Sequence, residues 1–215
     1  MSIIWFAPSR QNILELPHIS DRLADVMTLA IAVHLVEHDP NWGERAQSLM
    51  AMLAPLHPPL LRLYHVGSTA IPGLLAKPVI DIVGVASDMA ALDAAADDAR
   101  ALGLGWHGEF GVDGRRFCTL DAAATAGQDA GGKNAGGERI ANFHFYATGS
   151  RHIKLQVAFR DYLRAHADVA AAYADEKRRI RALHPNDSVA YSAEKGPFIR
   201  AVLDKALAWH SDDPL

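Results

Sequence analysis

Residues 63–85, LYHVGSTAIPGLLAKPVIDIVGV, decide the fold. Leu63, Tyr64, His65 and Val66 are short, apolar and partly β-branched, which reads as a buried strand. Gly67-Ser68-Thr69 follows at once: glycine permits close backbone approach, and the hydroxyls suit a helix cap or a phosphate oxygen. Pro72-Gly73 marks a second turn. Pro78 then opens a second strand, Val79-Ile80-Asp81-Ile82-Val83-Gly84-Val85. Strand residues alternate faces, so Asp81 shares a face with Val79 and Val83. A carboxylate there is costly unless a cation or backbone donors meet it. Two readings stand side by side: an Asp that caps a loop or pairs with an arginine, and a carboxylate that holds a metal or serves phosphate transfer beside the Gly-Ser turn.

Working outward, the N-terminal side reads as an extension, residues 1–33. Residues 1–19 form an extended arm whose Ile3-Ile4-Trp5-Phe6 docks on the domain or on a second copy, giving an oligomer, and Ser20-Asp21 caps a helix. The main domain is expected over residues 34–210. A strand over 34–38 is followed by Asp39-Pro40 as N-cap and first-turn proline of a helix running to about Leu53. After the central strands, Asp88 caps a helix over 89–102 that stops at Gly103. Residues 106–110 and 115–120 pair as a hairpin. Residues 122–138 are Gly- and Ala-rich and read as a mobile loop. A strand over 139–147 and helices over 152–165, 168–184 and 190–209 complete the chain. The fold class is α+β, a mixed sheet flanked by helices with a C-terminal helical region.

The 215 residues carry a net charge of −4, which gives no reason to expect a general nucleic-acid binder. No apolar run reaches membrane-spanning length and no signal peptide is evident, so cytoplasmic is the expected location. Cys118 is the one cysteine, so no intramolecular disulfide forms, and the eleven histidines follow no zinc-site spacing. Walker A, Rossmann and nucleophile-elbow patterns are absent.

The stretch HVGSTAIPGLLAKPVIDI resembles the signature of the GrpB family, which belongs to the nucleotidyltransferase superfamily. The resemblance extends to HLVEHDPNWGE at 34–44, FRDYLRAH at 159–166, residues 169–177, and YSAEKGPFI at 191–199, and so covers roughly 34–205. It implies a nucleotidyltransferase-like sheet with a helical C-terminal part. It also implies a nucleotide or other phosphorylated small molecule as partner, Mg²⁺ or Mn²⁺ as cofactor, and transfer of a nucleotidyl group to a small acceptor. The alternative is a non-catalytic binding module that kept the fold, accessory to nucleotide or coenzyme A metabolism. In the superfamily, metal-binding acids come as acid-x-acid on one strand; here Asp81 supplies the first and Val83 stands at the second, which argues against a two-metal site.

Asn142-Phe143-His144 falls where the family often carries His-x-His, and His144 is a candidate metal ligand, acid or base, phosphate group, or plain sheet histidine. His65 either faces the crevice or braces the turn. Gly67 and Ser68 are expected to hold phosphate, Asp81 the metal, and Asp81 with His144 the chemistry. Lys77, Lys177 and Lys195 are expected to neutralise phosphate or to pair with surface acids. Arg115 and Arg116 point to opposite faces of their strand, and the family pattern selects Arg116 for the site.

Overall fold

The computed structural model describes residues 32–122 and 138–210. The expected N-terminal arm and helix, and the loop at 123–137, lie outside the described residues. The chain enters along residues 32–38, where a strand was expected. Val36 makes a single antiparallel bridge to Ala76 there, and no strand forms. Helix α1, Trp42–Met52, begins beyond the anticipated cap. Asp39 instead closes the turn before it, its Oδ1 accepting the Asn41 backbone N–H at 2.9 Å.

Five strands form one mixed sheet: β1 Leu60–Val66, β2 Ile80–Ala86, β3 Gly105–Trp106, β4 Arg116–Asp121 and β5 Arg139–Ala147, in the order β1-β2-β5-β4-β3. β2 and β5 lie parallel at the centre, and the other pairings are antiparallel. The expected hairpin exists as β3–β4, with a shorter first strand.

The pleat sorts these strands into two faces. Ile80, Ile82, Ala86, Cys118, Leu120, Phe143 and Phe145 form an apolar face buried against Trp42, Ala46 and Leu53 of the α1 region and Leu92 and Ala99 of the next helices. Those helices are α2, Met89–Ala94, and α3, Ala96–Ala101. One continuous helix was expected over 89–102; the axis breaks at Ala95, where no breaker residue announces it. The Asp88 cap forms as read, accepting from Ala90 and Ala91 N–H, and the chain leaves α3 through Gly103 at φ +83°.

On the opposite face, Val66, Val83, Val85 and Tyr146 pack on Ile153 and Val157 of α4, Arg151–Ala165. Helices α5, Ala167–Leu183, α6, Ser188–Glu194, and α7, Gly196–Trp209, add a helical lobe with its own core of Phe159, Tyr173, Ile180, Tyr191, Val202 and Leu203. The last helix was expected to run unbroken over 190–209. It restarts at Gly196 instead, with Pro197 in the first turn, where its missing N–H costs nothing. That restart leaves Lys195 at the junction of α6 and α7. Among the described residues no helix is long and apolar enough to cross a membrane.

Candidate functional site: a lysine-lined crevice around one carboxylate

The turn after β1 is built around Asp81. Gly67 adopts φ +74°, and a Cβ placed there would stand 2.6 Å from Asp81 Oδ2, so only glycine fits both the backbone and the carboxylate behind it. Two arginines of α4 hold the same turn by its carbonyls: Arg160 Nη1 donates to His65 O at 3.0 Å and Arg164 Nε to Ala70 O at 2.8 Å. His65 braces the turn rather than facing Asp81. It pairs in register with Ile82 and shares a 3.0 Å hydrogen bond with Thr69 Oγ1. Burial, helped by Arg164 and Arg160, pushes its imidazole down to about 4 against the pull of Asp81, so it is neutral at pH 7.

Asp81 pairs in register with Asn142 on β5, and Val83 with His144, so these polar groups share one face. Asn142 Nδ2 donates to Asp81 Oδ1 at 2.8 Å, while Arg139 Nη1 donates to Asn142 Oδ1 at 3.1 Å. Because a guanidinium only donates, that contact fixes which end of the amide meets the carboxylate. Arg139 also pairs with Asp121, which removes Asp121 as a second acid for the site. His144 is oriented by the same logic: Arg115 Nη1 lies 3.5 Å from its Nδ1, so Nδ1 keeps the lone pair and the Nε2 proton points towards Asp81 Oδ1, 3.8 Å away.

Beneath the sheet face and the turn opens a crevice of about 770 Å³, part of it open to solvent, closed on its far side by α4 to α7. Gly67, Ser68, Lys77, Asp81, His144, Lys177 and Lys195 all line it. Arg116 does not: its Nη2 donates to Asp93 Oδ2 at 2.6 Å on the apolar-face side, against α2. The arginine on the site side is Arg115, 4% exposed, with Nε and Nη2 on the carbonyls of Glu109 and Phe110 and Nη1 behind His144. Phe110, which supplies one of those carbonyls, carries φ +47°.

The three lysines are not solvated surface charges. Lys177, 2% exposed, donates to Leu75 O and to Ser68 Oγ (3.2 Å) and lies 4.6 Å from the Tyr173 ring centre. Burial, then the charges of Lys195 and Arg178, hold its amine well below the ordinary lysine value. Lys77 donates to Ser188 Oγ at 2.6 Å, and burial lowers it while Asp81 opposes. Lys195 sits 4.6 Å from the Tyr191 ring centre; burial, then Lys77, holds it at about 8 despite Asp81. Tyr173, Tyr191 and Gln156 also line the crevice and escaped the sequence reading. They fall in the apolar periodicity of α4 to α6 and look like core until the helices are assembled.

The donor set limits what metal fits. Val83, 0% exposed, is packed in the core where a second acid would stand, and among the described residues no three or more His, Cys, Asp or Glu side chains gather to hold an ion. One carboxylate would suit a single Mg²⁺ that drew its other oxygen ligands from a bound phosphate and water; it would not suit a two-metal pair.

The architecture defines an α+β protein in which a Gly-Ser turn and an acid on the next central strand face a lysine-bearing helical lobe. The chain belongs to the GrpB family: the family model described as GrpB protein matches residues 32–205. The UPF0157 protein YqkA of Bacillus subtilis is 29% identical over 178 residues, which is 82% of this chain and 48% of YqkA. A dephospho-CoA kinase of Mycolicibacterium paratuberculosis is 32% identical over 193 residues, 82% of this chain and 46% of that protein. The chain thus spans about half the length of these two relatives. The crystal structure of the conserved protein GrpB from Enterococcus faecalis superposes with a TM-score of 0.72 at 26% identity, covering 83% of this chain and 100% of that one.

Proposed function

We propose that the crevice binds the polyphosphate of a nucleoside triphosphate, or of a similarly phosphorylated small molecule, with one Mg²⁺ or Mn²⁺ on Asp81. The observation that carries this reading is the charge balance. Lys77, Lys177 and Lys195 converge on one crevice, and among its described lining residues Asp81 is the single carboxylate. Buried or half-buried amines without matching acids are unfavourable until an anion joins them. A polyphosphate supplies that charge and accepts charge-assisted hydrogen bonds. Ser68 Oγ and the backbone of the Gly67 turn are expected to contact its oxygens, and His144 offers its Nε2 proton to one of them. The metal, when bound, offsets phosphate charge and orients the reacting phosphorus.

In the enzymatic form, an acceptor hydroxyl gives up its proton to water and bonds to the α-phosphorus, the bond to the bridging oxygen breaks, and pyrophosphate leaves. Lys177 and Lys195 stabilise the charge that develops on it. A second reading, a binding module without catalysis, is favoured by Val83 in the place of a second acid and by Asn142 occupying Asp81 Oδ1. The similarity to a dephospho-CoA kinase makes coenzyme A precursors natural members of the ligand panel for either reading.

Calorimetric titration with nucleoside triphosphates and coenzyme A precursors, with and without Mg²⁺ or Mn²⁺, tests this on the wild type and Asp81→Asn. Metal-dependent triphosphate binding that Asp81→Asn abolishes supports the metal-assisted reading. Metal-independent binding that survives the substitution selects the binding module. No binding across the panel removes nucleotides as ligands.

A further inference from the structure

The three crevice lysines are not equivalent. Lys77 donates to Ser188 Oγ at 2.6 Å, and Lys177 donates to Leu75 O and Ser68 Oγ, so fixed oxygens of the protein hold both amines in place and leave each an N–H for a ligand. Lys195 Nζ has no such acceptor among the described residues. Its contact is the face of Tyr191, and it shares that ring with Lys77, whose Nζ lies 5.3 Å from the same centroid. A lysine that is half-buried, crowded by a second ammonium and without an ion pair among the described residues is in the environment that exposes an amine lone pair near neutral pH. The break between α6 and α7 sets this amine on the crevice wall, with Asp81, Gly67 and Ser68 among the other lining residues.

We propose that Lys195 is a nucleophilic amine, and that the crevice captures phosphorylated aldehydes or ketones as imines on its Nζ. The proposal rests on the phosphate-binding reading above for the anchoring of the ligand, and goes beyond it in the chemistry. Gly67, Ser68, Lys77 and Lys177 hold the phosphate, which brings the carbonyl carbon to Lys195. The amine nitrogen bonds to that carbon and the C=O bond breaks. The oxygen leaves as water with the two protons of the neutral amine, and no oxidant or reductant is consumed. The direction of the Lys195 shift, held at about 8 by burial and Lys77, agrees with an amine that is substantially unprotonated at mildly alkaline pH.

The test uses the full chain and pyridoxal 5′-phosphate, an aldehyde with a phosphate, trapped with borohydride and mapped by peptide mass spectrometry. One adduct per chain is expected, on Lys195, formed well before adducts on the exposed Lys154 and Lys205. Unphosphorylated pyridoxal should label Lys195 at least about tenfold more slowly, the factor that 1.4 kcal/mol of phosphate anchoring gives. Inorganic triphosphate should protect. Lys195→Arg, which keeps the charge and cannot form the imine, should lose the adduct while its thermal melt shows that the variant is folded. Labelling of Lys195 no faster than Lys154, or labelling of Lys77 or Lys177 in its place, overturns the proposal. The two ideas fail separately. Triphosphate binding with an unreactive Lys195 sinks the imine and leaves the phosphate reading standing. Equal labelling by pyridoxal and its phosphate, without protection by triphosphate, sinks the phosphate reading and the assigned ligand class with it.

Discussion

β2 and β5 present one face of pure core and another that carries the candidate site, and the two differ by a single residue of register. Ile80, Ile82, Phe143 and Phe145 lie on the first; Asp81, Asn142 and His144 lie on the second. The apolar face holds the fold through its buried core. The other face carries an acid, an amide and an imidazole: Asp81 is met by Asn142 on β5, Asn142 by Arg139 of the same strand, and His144 by Arg115 just before β4. A parallel central pair flanked by antiparallel strands supplies rigidity from one side and chemistry from the other.

The sharpest way to break the comparison is to damage one face and read the other. Phe143→Ala, at 0% exposure, should cost about 3–5 kcal/mol of unfolding free energy in denaturant melts, as large core truncations do. The protein that remains folded should still bind triphosphate. Gly67→Ala comes next: a strained backbone and a Cβ against the Asp81 carboxylate should cost about 1–3 kcal/mol and weaken ligand binding together, because turn and acid are in contact. Lys177→Met reverses that pattern. Removing a buried charge for an apolar chain of similar length should change stability by less than about 1 kcal/mol while ligand affinity falls at least about tenfold.

A pH series sharpens the contrast further. Lys195 has its folded value depressed to about 8, below the unfolded lysine value of about 10.5. The unfolded chain therefore binds more protons between these values, and this group makes the ligand-free protein more stable as pH rises through that window. Polyphosphate affinity should move the opposite way, declining as pH passes 8 and Lys195 loses its charge. Calorimetry and thermal melts on the same samples give both slopes. The smallest effect is expected from Arg116→Ala. Its pair with the half-exposed Asp93 is worth less than about 1 kcal/mol, and ligand binding should not change. A large loss of binding in that variant would mean that Arg116 leaves Asp93 for the crevice when ligand arrives.

How much of this was legible in the sequence follows from what periodicity encodes. The central strands, the exceptional character of Asp81 and the Gly-Ser turn were plain, because alternation and glycine are local signals. The Asp88 cap and the Gly103 stop were legible for the same reason. Arg115 and Arg116 were not separable, since adjacent residues on a strand differ only by which face the register selects, and register is set by β5. The break at Ala95 had no signal. The restart at Gly196-Pro197 had one, because proline favours the first helical turn, yet an apolar stripe running to residue 209 masked it. Tyr173, Tyr191 and Gln156 became site residues only through the packing of helices on a sheet that lies far away in sequence.

That distance has a consequence during biosynthesis. Lys77 reaches Ser188 across 111 residues, and Lys177 reaches Ser68 across 109 and Leu75 across 102. A nascent chain therefore presents its turn and carboxylate long before the amines that complete the crevice have been translated. Under the proposed function, ligand capture waits for the last helices to emerge and dock, so binding would report that synthesis and folding have both reached the end of this lobe.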